Sequence, residues 1–124
     1  MQMSEQSRGA RAARAAADRY GFEIDSARWY DGTGPSGTRY EVKSTSGRGF
    51  RLWRDQHRSL SAAPSAYYVF VRMSESGSVL EMVRRDTTTV TGYIRAAGGW
   101  VSSGHARRDG AGKERYVKPS VPFG

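Results

Sequence analysis

Thr38-Arg39-Tyr40-Glu41-Val42-Lys43-Ser44-Thr45 reads as a β-strand, and Gly32 through Gly37 supply the turn chemistry that leads into it. Alternation along a strand puts Glu41 and Lys43 on one face, an acid beside a base. If Asp25 on the preceding segment comes alongside, the set becomes two carboxylates and an ammonium. Such a set can hold a divalent cation and activate water against a phosphodiester.

Working back from this strand, Phe22 to Asp31 is rich in β-forming residues and is expected to form the first arm of a β-hairpin. Before it, residues 4–20 place Ala10, Ala13, Ala17 and Tyr20 at helical spacing, with Ser4 as cap and Gly21 as stop. Arg8, Arg11, Arg14 and Arg19 are spread around that helix, facing either a phosphate backbone or water.

Working forward, Ser46-Gly47-Arg48-Gly49 is a basic loop, and Phe50 to Trp53 leads into a short helix from Arg54 to Leu60 that ends before Pro64. Ala66 to Val71 is the most apolar run and is expected to be a strand buried on both faces. A turn at Ser74 to Gly77 joins it to a strand over Val79 to Val83, and Asp86 is placed to cap a helix running to Ala97. Ser102 to Lys113 reads as loop, and Glu114 to Val121 as an edge strand or extended tail. This order predicts an α/β fold, a central mixed sheet flanked by helices, in one domain spanning residues 1–124.

The 124 residues carry 20 Lys and Arg against 12 Asp and Glu, a formal charge of +8. Seventeen of the cations are Arg, whose forked guanidinium grips phosphate oxygens in pairs. This balance fits nucleic acid as partner, although a protein that docks on an acidic partner shares it. The absence of Cys excludes disulfides and thiolate metal sites, and only two His are present, far apart, so any metal is expected on oxygen ligands. No apolar run approaches the roughly 18 residues of a membrane span. The expectation is a cytoplasmic protein with no membrane partner.

An acid on the first hairpin arm, Glu41-Val42-Lys43 on the second, a following helix and then a buried strand resemble the PD-(D/E)XK nuclease superfamily over roughly residues 4–71. That family includes restriction endonucleases and archaeal Holliday junction resolvases. The resemblance implies the restriction endonuclease-like αβββαβ core and a DNA endonuclease dependent on Mg2+ or Mn2+, either structure-selective or of repair type. It assigns the family Asp to Asp25, sixteen positions before Glu41, with Asp31, ten positions before it, as the competing residue. Asp25 is favoured because Asp31 beside Gly32 already has a turn residue's reason to be there. Ile24 stands where the family often has proline.

By the same resemblance, Gln56 matches a helix Gln that supports the site, and Glu5 is the one acid able to match a Glu from the first helix. Asp25 or Asp31, Glu41 and the Val42 carbonyl would hold the cation, and Lys43 would orient the attacking water or offset negative charge. Arg48, Arg51, Arg54 and Arg58, close to the motif, would hold DNA phosphates. Trp29 and Trp53 are either core or base-stacking residues, and His57 is either exposed or a proton donor to the leaving oxygen. His105 reads as a surface loop residue. A homodimer is expected if two strands are cut. The alternative is a noncatalytic basic nucleic-acid-binding domain, in which the carboxylates are structural.

Overall fold

The computed structural model describes residues 4–25, 30–104 and 112–124. Trp29, His105 and the Glu5 side chain lie outside the described set. In chain order the elements are α1 (Glu5–Tyr20), β1 (Glu23–Ile24), β2 (Gly32–Thr33), β3 (Arg39–Thr45), β4 (Phe50–Trp53), α2 (Arg54–Ala62), β5 (Ala66–Met73), β6 (Val79–Asp86), α3 (Thr87–Ala96), β7 (Val101–Ser102) and β8 (Lys113–Val117). Five strands form one sheet in the order β1-β2-β3-β5-β6, and three form a second in the order β4-β8-β7. β3 and β5 are parallel, and the other pairings of the larger sheet are antiparallel. This is the mixed α/β sheet with flanking helices that the sequence predicts.

β5 lies inside the sheet, between β3 and β6, because its residues are apolar on both faces, and Tyr68, Val69, Phe70 and Val71 are all fully buried. Val69, Val71 and Met73 look one way, with Tyr40 of β3, onto Ala12, Ala16 and Ala17 of α1. The helix therefore lies closely on the sheet through alanines, using Ala12 and Ala16 where the spacing had suggested Ala10 and Ala13. Ser4 caps α1 by accepting the Ser7 N–H at 3.2 Å, and Gly21 ends it in the left-handed conformation.

Tyr68 and Phe70 look the other way, into a second core with Leu60 of α2, Val90 and Ile94 of α3, and Phe50, Leu52 and Val117 of the small sheet. α3 starts at Asp86, whose Oδ1 accepts the Thr89 N–H at 2.8 Å. In the register, Glu41 pairs with Tyr68 and Lys43 with Phe70, so Glu41 and Lys43 share this second face and look toward α2.

Three local expectations are corrected. Phe22 to Asp31 is not one hairpin arm: the chain reverses within it, making β1 and β2 antiparallel neighbours, so that β2 is the strand beside β3. Phe50 to Trp53 is a strand, and Lys113 to Val117 is the centre of the small sheet and neither an edge nor a tail. β4 alternates buried and half-buried residues while β8 buries only Val117 fully, and the two short strands lie more than sixty positions apart in sequence. Local pattern does not reveal such pairings.

Candidate active site

The register builds the site. Gly32 pairs with Tyr40 and Thr33 with Arg39, so one further step sets Asp31 across from Glu41. Gly32 is held tightly there: a Cβ at that position would meet the Glu23 carbonyl oxygen and the Phe22 ring at 2.4 Å. The Asp31 N–H donates to the Tyr40 carbonyl at 2.7 Å, and its Oδ2 accepts the Val42 N–H at 2.7 Å. Where β2 ends, a carboxylate thus takes over the pairing of β3.

Glu41 is 5% exposed, and its carboxyl meets three neighbours. Its Oε2 lies 3.1 Å from Lys43 Nζ, its side chain shares a hydrogen bond with Asp31, and Tyr68 stands next to it on β5. Burial pushes the Glu41 carboxyl up to about 8, Lys43 opposes that rise and the Asp31 charge adds to it. At neutral pH the Glu41 carboxyl therefore keeps its proton. Lys43 Nζ also donates to Gln56 Oε1 at 2.7 Å, from the first turn of α2. An ammonium has three donors, so Glu41 and Gln56 use two of them.

Asp25 is not part of this cluster. It follows β1, and its N–H donates to the Asp31 carbonyl, so its backbone sits two strand spacings, about 10 Å, from β3. Its Oδ2 accepts the Thr33 hydroxyl at 2.9 Å. The reason is the extra reversal: with β2 inserted, the acid next to Glu41 is the one ten positions before it.

Behind Glu41, His57 is buried. Thr91 Oγ1 donates to the Thr87 carbonyl at 2.9 Å and so accepts from His57 Nε2–H at 2.8 Å, which leaves Nδ1 to accept the Tyr68 hydroxyl at 3.0 Å. Burial pushes the His57 pKa below its ordinary value and the Tyr68 pKa well above its own. His57 is therefore a neutral brace for Tyr68, with both nitrogens engaged, and neither an exposed residue nor a proton donor to a leaving oxygen.

A cleft of about 570 Å³ opens at the end of β3, and Lys43 lines it together with Arg8, Arg48, Arg51, Glu75 and Tyr116. Four cationic side chains face one carboxylate, a charge balance suited to phosphate. Thr45 shapes the wall by accepting the N–H groups of Gly47 and Gly49 at 3.2 and 3.1 Å, which turns the basic loop back over the strand. Arg51 is anchored by Glu114 at 2.6 Å and lies 4.3 Å from the Trp53 ring. Arg54 pairs with Asp55 at 3.4 Å, and neither it nor the exposed Arg58 lines the cleft. Tyr116 was missed in the sequence, where Arg8 stood only as one of four helix arginines facing phosphate or water. Arg8 looks like any other arginine of its helix, and Tyr116 reaches the cleft only through the β4–β8 pairing.

The donor set fits a divalent cation. Among the described residues no group of three or more His, Asp or Glu side chains gathers, so the protein offers two carboxylates with peptide carbonyls such as that of Val42 nearby. Magnesium typically binds through one or two carboxylates and keeps several waters. The buried, protonated Glu41 carboxyl beside the half-buried Asp31 is a place where a cation can replace a proton. Among the described residues, no helix is long and apolar enough to cross a membrane.

Comparison with curated proteins returned no match. The sequence profile described as the PD-(D/E)XK nuclease superfamily domain matches residues 1–118, from the helix that backs the sheet to the last strand of the small one. That span takes in the acid, the Glu-x-Lys strand and the glutamine helix together, and the chain belongs to the PD-(D/E)XK nuclease superfamily.

Proposed function

We propose that this protein is a metal-dependent deoxyribonuclease that hydrolyses phosphodiester bonds internally, with Asp31 and Glu41 as its cation ligands and Lys43 and Gln56 as its polar catalytic pair. The observation that carries the reading is the junction of Glu41, Lys43 and Gln56, with contacts of 3.1 and 2.7 Å, beside the Asp31 carboxylate. Mg2+ or Mn2+, when bound, supplies Lewis acidity toward the phosphate and acidifies water.

The chain's own residues do the rest. Asp31 and Glu41 would hold the cation, the Glu41 carboxyl losing its proton to do so. Glu41 and Gln56 hold the Lys43 ammonium at the edge of the cleft, where its remaining N–H can orient the attacking water or a non-bridging phosphate oxygen. Arg8, Arg48 and Arg51 bind neighbouring phosphates and set the register of the strand, without reading its sequence. The buried Tyr68–His57–Thr91 chain keeps the floor beneath Glu41 rigid.

The test is cleavage of labelled duplex, single-stranded and four-way-junction DNA in Mg2+, Mn2+ or EDTA, comparing wild type with Lys43→Ala and Glu41→Ala. Cutting that needs the metal and is lost in both variants is expected. Binding without cutting under every metal would instead assign the protein to noncatalytic nucleic-acid binding.

A further inference from the structure

The outward face of the small sheet has a composition that the proposed hydrolysis does not require. Alternation along β4 sends Phe50 and Leu52 into the core and turns Arg51 and Trp53 outward. Arg51 pairs across the ladder with Tyr116, so the two share that outer face. The Arg51 guanidinium lies 4.3 Å from the Trp53 ring and 5.8 Å from the Tyr116 ring, and the Glu114 carboxylate fixes it from the side at 2.6 Å.

Packing on Arg51 leaves Tyr116 48% exposed, although its neighbour Val117 is fully in the core. Tyr116 also lines the same cleft as Lys43 and Arg48. The aromatic face and the cationic cleft are therefore one continuous surface. Bases inside a duplex are already stacked on each other, so the exposed Tyr116 ring beside a phosphate-binding cleft can stack only on an unpaired base.

We propose that Tyr116, flanked by Arg51 and Trp53, is a stacking platform for the bases of an unpaired DNA strand whose backbone runs through the cleft past Lys43. The inference rests on the nuclease reading for what the cleft binds, and it adds the substrate class: DNA with a single-stranded stretch beside the bond that is cut. The arginines take the phosphates, the Tyr116 ring takes the base faces while Trp53 supports Arg51 from behind, and affinity is insensitive to base identity because every base has such a face.

The test is equilibrium binding in EDTA, where nothing is cut, so its outcome is independent of the cleavage assay with Lys43→Ala. Labelled oligothymidine and an abasic strand of equal length are titrated with wild type, Tyr116→Phe, Tyr116→Leu and Tyr116→Ala. The wild type is expected to prefer the base-bearing strand. Tyr116→Phe keeps that preference, whereas Tyr116→Leu and Tyr116→Ala lose about tenfold in affinity for oligothymidine and none for the abasic strand. Equal binding of the two strands by wild type overturns the proposal. So does an equal loss on both strands in the variants, or a Phe variant that behaves like Ala.

Discussion

Asp31 accepts the Val42 N–H at 2.7 Å, so the side chain of one strand's end completes the backbone pairing of the next. The contact fixes the carboxylate on the edge of β3 and aims it at Glu41, one residue earlier. An acid in that position is preorganised, since its rotamer is set by the fold before any cation arrives.

The two candidate acids therefore separate cleanly. Asp31→Asn keeps an acceptor for the Val42 N–H and removes the charge, and is expected to lower metal-dependent cleavage by at least about 100-fold, the upper end of the cost of losing a partner around a metal. Asp25→Asn touches a Thr33 contact on the far side of β2 and should change the rate by no more than about twofold, in keeping with surface substitutions within roughly 0.5 kcal/mol. Cleavage rates at saturating Mg2+ decide it, and equal losses in both variants would return Asp25 to the site.

Gln56 makes one 2.7 Å bond, to the ammonium that two acceptors hold in place. Gln56→Leu preserves bulk on the buried side of α2 but leaves Lys43 with Glu41 alone. A hydrogen bond to a charged group is worth about 1.5–3 kcal/mol, so kcat should fall by roughly 10- to 100-fold with KM little changed. A rise in KM with constant kcat would mean that Gln56 serves binding and not the positioning of Lys43.

Much of this site could be read from the chain and some could not, for separable reasons. Glu41 and Lys43 are two positions apart, so their shared face follows from strand alternation alone, whereas Gln56 was reached through the family resemblance, which implies a glutamine on the helix after the Glu-x-Lys strand. Buried β5 announces itself by an unbroken apolar run. Asp31 was read as a turn residue because Asp-Gly has strong local turn chemistry, while the reversal between Ile24 and Gly32 that sets Asp31 beside β3 involves strands of only two residues. His57 looked exposed because nothing local reveals that Tyr68 and Thr91, on two other elements, converge on its ring. Tyr116 depends on a pairing with Arg51 sixty-five positions away. Contacts of that separation are decided by packing, which a local pattern does not encode.

The arginines divide by position. Arg48 lines the cleft and Arg58 does not, although both lie near the motif in sequence. Arg48→Ala is expected to weaken DNA binding across all sequences and to reduce the slope of log affinity against log salt by about one. Arg58→Ala should leave that slope unchanged. Titrations at several salt concentrations in EDTA measure both, and a slope altered equally by the two substitutions would indicate a diffuse surface in place of a defined channel.

Glu41 also makes the stability of the metal-free protein depend on pH. Its carboxyl titrates near 4.5 when unfolded and is pushed up to about 8 by burial in the fold. Between those values the folded state keeps a proton that the unfolded state has lost. The stability it contributes is thus full below about pH 4.5 and falls as pH rises through 8, by about 1.4 kcal/mol per pH unit at most. His57, held below its usual 6.5, acts in the opposite sense at lower pH, because the unfolded imidazole takes up a proton that the buried one refuses. The clean window therefore runs from about 6.5 to 8. Urea denaturation in EDTA across that window should show falling stability in wild type and a flatter curve in Glu41→Gln. Saturating Mg2+ should remove most of the fall, since a cation between Asp31 and Glu41 takes the place of the proton, and its stabilising effect should be larger at pH 8 than at 6.5. A wild-type curve as flat as that of Glu41→Gln would mean that the carboxyl is ionised without any cation, and the case for a cation site at this pair would lose its electrostatic basis.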